Sequence, residues 1–174
     1  TVNGNNNVVT YNGVGDYHTM RLAGADYMTF NDLVINATGA TNGFCLSVGN
    51  ESNNNNFNNC TFNASTSSTS SLSTGIAFSS STTSPTGTGN NGNNNVFTNC
   101  TIDGGYYGIT VYGNSTGSGN ITGNQLINCT VRNYYFYGVY IAYASNTIVQ
   151  GCTVERPTRA TVSTGYGIYL TTNA

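Results

Sequence analysis

Three side chains of the sequence have types and spacing that suit acid and base chemistry. Asp103, Arg132 and Glu155 each lie three residues after a cysteine of a repeated phrase. On parallel strands about 4.8 Å apart, Asp103 and Glu155 would be separated by about 9.6 Å, within the range for inverting glycoside hydrolysis. Arg132 between them would clamp the substrate. We therefore take these residues as the candidate catalytic set.

The same three residues also fit a purely structural role. An acid, a base and an acid on successive coils form a salt-bridge ladder along a parallel stack, whereas stacked like charges would repel one another. This interpretation is the simpler one, and we expect the chain not to be an enzyme. No acidic cluster suggests a calcium site and His18 is the only histidine. We predict no metal and no cofactor.

Tyrosines form a second candidate site in the C-terminal half of the chain. Tyr140 and Tyr169 are expected to lie directly above one another on an outer face, beside Thr110. An exposed aromatic strip binds sugar rings or another protein, and tyrosines stacked across coils also stabilise a sheet without binding anything. The candidate binding residues are Tyr107, Tyr137, Tyr140, Tyr166 and Tyr169.

A repeated phrase defines the elements that position these side chains. Its cysteines are 40, 29 and 23 residues apart, in Asn59-Cys60-Thr61-Phe62, Asn99-Cys100-Thr101-Ile102, Asn128-Cys129-Thr130-Val131 and Gly151-Cys152-Thr153-Val154. An earlier copy has Leu33 in the cysteine position. Self-similarity at such intervals is typical of repeat architectures, in which each unit buries its apolar face against the next. A constant phrase with unequal spacing predicts fixed strands and variable loops.

Two further phrases complete each repeat. One alternates apolar and variable residues at period two after a glycine that we expect to take a positive φ at a corner. Its copies are Gly43-Phe44-Cys45-Leu46, Gly75-Ile76-Ala77-Phe78, Gly108-Ile109-Thr110-Val111, Gly138-Val139-Tyr140-Ile141 and Gly167-Ile168-Tyr169-Leu170. The other precedes the cysteine and places an apolar residue at Phe30, Phe57, Phe97, Leu126 and Val149.

Three short strands per repeat, separated by Asn and Gly corners, predict an all-β fold. Sandwich hairpins would require antiparallel pairs, so a single right-handed parallel β-helix of about five to six coils fits better. Its inward columns are expected to pair Phe44 and Leu46 with Ile76 and Phe78. Cys45 then points outward, while the other cysteines stack inside as free thiols.

The whole chain, 1–174, is predicted to be one domain. Residues 1–16 are assigned to an incomplete first coil. The stretches 64–74 and 79–95 are rich in Ser, Thr, Asn and Gly and are predicted to be loop insertions on one face.

Composition excludes several partners. The chain has four Lys and Arg, six Asp and Glu, and a net charge of −2. Nucleic-acid binding needs a basic stripe, and an anionic membrane surface needs a basic patch, so neither is expected. No apolar stretch is long enough to span a membrane, and residues 1–3 do not look like the start of a signal peptide, so we expect a mature or trimmed chain.

Asparagines carry two further predictions. Asn59, Asn99 and Asn128 occupy one corner column, where a ladder of side-chain hydrogen bonds is expected. Eight Asn-X-Ser/Thr sequons occur in the chain, and those in probable loops are candidate glycosylation sites: Asn50, Asn114 and Asn120.

These phrases resemble the coils of the pectate-lyase-like right-handed β-helix superfamily. The run 21–35, with Gly104-Gly105-Tyr106-Tyr107-Gly108-Ile109 and Arg156-Pro157-Thr158-Arg159, is similar to β-helix regions of large secreted surface proteins of Bacteroidota. The similarity covers about residues 16–170. It implies the fold and an extracellular or cell-surface setting, but not an activity, because the fold hosts enzymes, adhesins and fibres.

Three function classes follow. We expect an extracellular structural or adhesive module, because Gly4-Asn5-Asn6-Asn7 repeats a phrase that leads into a coil while the C-terminus stops after a strand. Such ends would let copies stack head to tail into a filament, or would join a longer parent chain. The alternatives are a polysaccharide lyase or hydrolase, or a glycan-binding module. An ice-binding face would need a second file of outward threonines beside Thr61, Thr101 and Thr130.

Overall fold

The structure is a computed structural model that describes residues 1–12, 17–39, 41–115, 120–172 and 174. In these residues the chain forms twenty strands, numbered β1 to β20 in chain order, and no helix. The prediction of an all-β fold is confirmed. In this part of the chain, no helix is long and apolar enough to cross a membrane.

The strands follow one another in coils of three. The first three coils contain β1 (Val2–Asn3), β2 (Val8–Tyr11), β3 (His18–Ala23), β4 (Thr29–Asn31), β5 (Val34–Ala37), β6 (Gly43–Gly49), β7 (Asn56–Asn58), β8 (Thr61–Asn63) and β9 (Ser73–Phe78). The next coils contain β10 (Val96–Thr98), β11 (Thr101–Asp103), β12 (Tyr107–Tyr112), β13 (Ile121–Thr122), β14 (Gln125–Ile127), β15 (Thr130–Arg132), β16 (Tyr137–Ala142), β17 (Ala144–Ser145), β18 (Ile148–Gln150), β19 (Thr153–Glu155) and β20 (Tyr166–Thr171).

Every strand pairs in parallel with its counterpart one coil away. The first sheet has the order β1-β4-β7-β10-β14-β18, the second β2-β5-β8-β11-β15-β19 and the third β3-β6-β9-β12-β16-β20, with β13 and β17 as a short extra pair. The chain is thus a right-handed parallel β-helix of about six coils, as predicted. β1 and β2 lie in the stretch 1–16 assigned to an incomplete first coil, of which 13–16 are outside the described residues, and β3 completes that coil.

The core is built from columns of like residues. Phe57 stacks on Phe30 and Phe97 in the first sheet, with ring centroids 4.8 and 4.7 Å apart. The apolar residues that precede each cysteine, from Phe30 to Val149, pair in register in the first sheet. The apolar residues that follow each cysteine by two positions, from Phe62 to Val154, do so in the second sheet. Both predicted columns are confirmed. Cys60, Cys100 and Cys129 are buried inside them as free thiols, and Cys152 is half-buried.

The predicted register of the third sheet is wrong by two residues in the second coil. Leu46 pairs with Ile76 and Val48 with Phe78, so Phe44 is not in the inward column. Phe44 lies instead opposite Thr74, and Cys45 takes the inward position of Gly75. Cys45 is fully buried in the core, which raises the pKa of its thiol to about 12. Gly43 precedes Phe44 just as a glycine precedes the first inward residue in the other coils, which is why the alignment predicted from the sequence is shifted by two residues.

The glycines of this phrase are required for space and not for a positive φ. Gly75, Gly108 and Gly138 all have ordinary negative φ angles. A Cβ atom at Gly108 would lie 2.4 Å from Cγ1 of Val131 and 2.6 Å from the carbonyl oxygen of Gly138. The prediction of a left-handed corner there is wrong, because the second sheet packs directly against these backbones.

A buried asparagine ladder, which the sequence did not reveal, holds one corner of the coil. Asn95 Oδ1 accepts hydrogen bonds from the backbone N–H and the Nδ2 of Asn55, at 3.0 and 2.9 Å. Asn95 Nδ2 donates to Ser52 O and to Asn124 Oδ1. The side chains of Asn55, Asn95 and Asn124 are 0–1% exposed. Each therefore satisfies backbone groups of the preceding coil that would otherwise be buried without partners.

The asparagine ladder that was predicted lies at the next corner. Asn99 Nδ2 donates to Asn59 Oδ1 at 3.4 Å, and Asn59 Nδ2 donates to Asp32 Oδ1 at 3.2 Å. Asn59, Asn99 and Asn128 all have φ near +54°, a left-handed conformation that asparagine tolerates better than most residues. The predicted hydrogen bond between Asn59 and Asn99 is confirmed, and the column, which continues to Asn128 with the same φ, lies on the exposed surface.

The first insertion lies between β8 and β9, and the second folds over the outer face of the third sheet. The first is shorter than the predicted 64–74, because Ser73 and Thr74 belong to β9. The second, 79–95, lies between β9 and β10 as predicted. Pro85 O accepts a hydrogen bond of 2.7 Å from Thr110 Oγ1. The outer face of the third sheet is thus covered as far as the fourth coil.

Candidate functional site

The candidate catalytic residues form one outward column of the second sheet. Asp103 pairs in register with Arg132, and Arg132 with Glu155. Arg132 Nε lies 2.8 Å from Asp103 Oδ2, and Asn133 Nδ2 donates to Asp103 Oδ1 at 2.8 Å. Both carboxylate oxygens of Asp103 are therefore engaged by the next coil.

The predicted salt-bridge ladder is present in one rung only. In the described ranges the single ion pair is the one between Arg132 and Asp103, and Glu155 is exposed in register beside Arg132. Because Arg132 and Asn133 donate to both oxygens of this carboxylate, neither oxygen is open to a substrate in this arrangement. The geometry of this column accordingly suits a structural contact between coils.

The tyrosine cluster lies on the third sheet and its adjoining corner in the last three coils. Its ten rings are in mutual contact: Tyr106, Tyr107, Tyr112, Tyr135, Phe136, Tyr137, Tyr140, Tyr143, Tyr166 and Tyr169. All five predicted binding residues belong to it. Tyr140 and Tyr169 are in register with Thr110, as expected. The cluster begins where the cover provided by the 79–95 insertion ends, at Thr110.

The rings of the cluster stack on one another along the axis of the solenoid. Tyr137 lies between Tyr107 and Tyr166, at centroid distances of 5.2 and 5.6 Å and interplanar angles of 6° and 14°. Tyr140 stacks on Tyr169 at 5.5 Å and 19°. Because ring faces cover ring faces, the side of the solenoid presents mainly ring edges and hydroxyl groups. Sugar rings pack on the faces of aromatic side chains, and in this cluster only the rings of the last coil leave a face open.

Packing in the cluster changes the ionisation of its phenols. Burial, followed by the neighbouring phenols, raises the pKa of Tyr107, Tyr137 and Tyr140. Burial also raises the pKa of Tyr106 and Tyr112. The folded chain thus favours the neutral phenol.

We expect an alkaline absorbance titration to show several tyrosines that ionise above the ordinary pKa of about 10. The phenols of the unfolded chain lose their protons at lower pH than those of the folded chain. The contribution of the cluster to the free energy of unfolding is therefore fully present below about pH 10 and is lost as the pH rises above it. The matched control is the same titration in denaturant, where one ordinary step is expected. A native titration that coincides with the denatured one would contradict the stacked arrangement.

The two ends of the solenoid differ from its sides because they expose apolar residues. At the C-terminal end, Ile168 is 48% and Leu170 63% exposed, and Tyr166 is 45% exposed. At the N-terminal end, Val2 and Val9 are 39% and 43% exposed. Each of these apart from Tyr166 occupies an inward column that is fully buried in the middle coils.

The candidate glycosylation sites are on loops or at their edges. Asn50 is exposed just after β6, with φ +57°, while Asn114 and Asn120 are half-buried on either side of residues 116–119, which are outside the described residues. Asn50 also lines a polar cleft with Arg21, which the sequence did not single out.

Comparison with known proteins agrees with this architecture. Residues 89–174 match the family model described as the right handed beta helix region. They contain the last three coils, and the three sheets continue through the first three in the same arrangement. Residues 89–174 are thus similar to this family, and the described residues have the fold of a right-handed parallel β-helix. No curated protein matches the chain by sequence. Among the described residues, no group of three or more His, Cys, Asp or Glu could hold a metal ion.

Proposed function

We propose that this chain is a structural β-solenoid module that stacks head to tail on a second copy of itself, as part of an extracellular surface filament. The observation that carries the proposal is the match between the two end surfaces. One end is formed by β1, β2 and β3, and the other by β18, β19 and β20. In the described residues each of these strands has a partner on one side only.

Continuing the strand registers into a second copy brings like residues together. Val2 belongs to the column that ends at Val149, and Val9 to the column that ends at Val154. On the third sheet, Met20 belongs to the column of Ile168. Contact would remove these side chains from water, at roughly 25 cal/mol for each Å² of apolar surface, and pair the backbone groups of the edge strands.

The aromatic column continues across the same contact. His18, Phe44, Tyr137 and Tyr166 lie in one column of the third sheet, and the His18 ring contacts Phe44 at 5.4 Å. A second copy in register would place its His18 against the open face of Tyr166. The low net charge of −2 adds little repulsion between copies.

The two ends have different surfaces, so the contact is heterologous. A heterologous contact between parallel solenoids leaves one free end of each kind after every addition and does not close. This supports a filament of one-solenoid width over a closed ring or dimer. The extracellular setting is supported by the resemblance to secreted surface proteins and by the nearly uncharged polar surface.

Light scattering of the purified chain over a series of concentrations tests the proposal. We expect masses that grow in steps of one chain, with rods visible by negative-stain microscopy. Leu170→Asp places a charge on the C-terminal end and is expected to stop growth, as is Val9→Asp on the N-terminal end. Thr82→Asp is the matched control, since Thr82 is exposed on the 79–95 insertion, which lies beside the middle coils.

Mixing the two blocked variants separates specific stacking from aggregation. The intact N-terminal end of Leu170→Asp can accept the intact C-terminal end of Val9→Asp, so the mixture is expected to reach a mass of two chains and stop. Circular dichroism checks that all variants fold. A chain that stays monomeric at every concentration, or a mixture that stays monomeric although both variants fold, would overturn the proposal.

A further inference from the structure

A polar cleft of about 250 Å³ opens beside the third sheet, where the first three coils meet the 79–95 insertion. Its walls come from three separate segments of the chain. They are Arg21 of β3, Asn50 and Glu51 after β6, and Ser80, Asn90 and Asn91 of the insertion. The insertion thus completes the cleft.

The cleft contains one cation and one anion that are not paired with each other. Throughout the residues described here, the one ion pair within 4 Å is between Arg132 and Asp103. Arg21 Nη1 lies instead 3.3 Å from His18 Nε2, and Glu51 Oε1 accepts a hydrogen bond of 3.0 Å from Asn90 Nδ2. Arg21 and Glu51 therefore line the same cleft without forming an ion pair with each other.

A buried acceptor in the same wall has no partner. Asn91 is 0% exposed, and its Nδ2 donates to Gly87 O and to Tyr112 O at 3.1 and 2.6 Å. Its Oδ1 is buried and accepts no hydrogen bond. This oxygen has no exposed surface, so it belongs to the interior of the insertion and is not a contact for a ligand in the cleft.

The charges of the wall limit the chemistry of the occupant. A bare anion would meet Glu51, and a bare cation would meet Arg21. A molecule with a carboxylate at one end and an ammonium at the other satisfies both groups with charge-assisted hydrogen bonds, about twice as strong as neutral ones. We propose that this cleft binds a small zwitterion of the α-amino acid type.

In this assignment each group has one role. The Arg21 guanidinium donates to the ligand carboxylate, whose planar shape matches its fork of N–H donors. The Glu51 carboxylate accepts from the ligand ammonium. Asn50, Asn90 and Ser80 are left for a polar side chain of the ligand. The proposal does not depend on stacking of the solenoid.

Calorimetric titration with three probes tests the assignment: L-serine, N-acetyl-L-serine, which lacks the ammonium, and L-serine methyl ester, which lacks the carboxylate. It is done on the Leu170→Asp chain, so that self-association does not interfere. We expect saturable binding of L-serine and at least about tenfold weaker binding of both derivatives.

Variants of the two charged groups sharpen the test. Glu51→Gln is expected to weaken L-serine binding about tenfold without changing that of N-acetyl-L-serine, and Arg21→Met to weaken it without changing that of the methyl ester. Arg132→Met, outside the cleft, is the control and leaves binding unchanged. Absence of saturable binding, equal binding of the three probes, or preferential binding of D-glucose as an uncharged polyol would overturn the proposal.

Discussion

Replacement of Asn95 by leucine is expected to lower the free energy of unfolding by about 4 kcal/mol. Asn95 is fully buried and makes hydrogen bonds to both neighbouring coils. Leucine has a similar volume, so little cavity forms. The loss comes from the backbone N–H and Nδ2 of Asn55 and the carbonyl of Ser52, which stay buried without their partner.

Urea unfolding followed by circular dichroism measures this effect. Asn56→Leu is the matched control, because Asn56 is adjacent to the ladder in sequence but exposed. We expect the control to stay within about 0.5 kcal/mol of the native chain. Equal urea midpoints for the two variants would show that the hydrogen bonds of the Asn95 side chain do not stabilise the fold, which would contradict the prediction.

Replacement of Arg159 by methionine is expected to cost about 3 kcal/mol and to release the first insertion from the coils. Arg159 is 6% exposed and lies over the Tyr135 ring at 5.2 Å. It donates to Thr161 O and Asn133 O at 2.8 Å, to Gly105 O and to Ser68 O. Burial lowers the pKa of this guanidinium, yet four carbonyls hold its charge in place.

Hydrogen exchange distinguishes a local release from a uniform loss of stability. We expect amides of 64–72 to lose protection in Arg159→Met while those of the middle strands keep most of theirs. Arg132→Met is the control, since its side chain is 43% exposed and its ion pair with Asp103 is on the surface, where such pairs contribute about 0–1 kcal/mol. Unchanged protection of 64–72 would contradict the clamp.

The sequence predicted most of the β-helix because the repeated phrases record which residues face inward. Phe57, Cys60 and Phe62 recur at fixed offsets, and parallel coils stack like on like, so the columns follow from alignment of the copies. The same reasoning failed at Phe44. In this coil Cys45 occupies the position that a glycine occupies in the other coils, and Gly43, two residues earlier, led to the wrong alignment. A shift of two residues leaves the alternation of inward and outward side chains unchanged, so the sequence pattern fits both registers. Only the packing of β6 against β9 decides between them.

The candidate sites were less predictable than the coils. Sequence identified the tyrosines, but whether their faces are open or covered depends on ring angles, which no spacing encodes. The interaction of Asp103 with Arg132 was expected, whereas its second partner, Asn133, was not. The polar cleft joins Arg21 to Asn91 across three coils, and no local pattern marks such a site.

The sequence by itself determined the coil: an asparagine at the turn, a cysteine inside, a threonine outside and an apolar residue inside, because these choices depend on a few neighbouring residues and on the identical coil beside them. The tertiary structure alone decided what lies on the surface of the stack. Where the insertions fold, which tyrosine faces remain open, and which charges meet in the cleft all depend on contacts between segments distant in the chain. These contacts follow from how the coils and loops pack together, and the repeat does not record them.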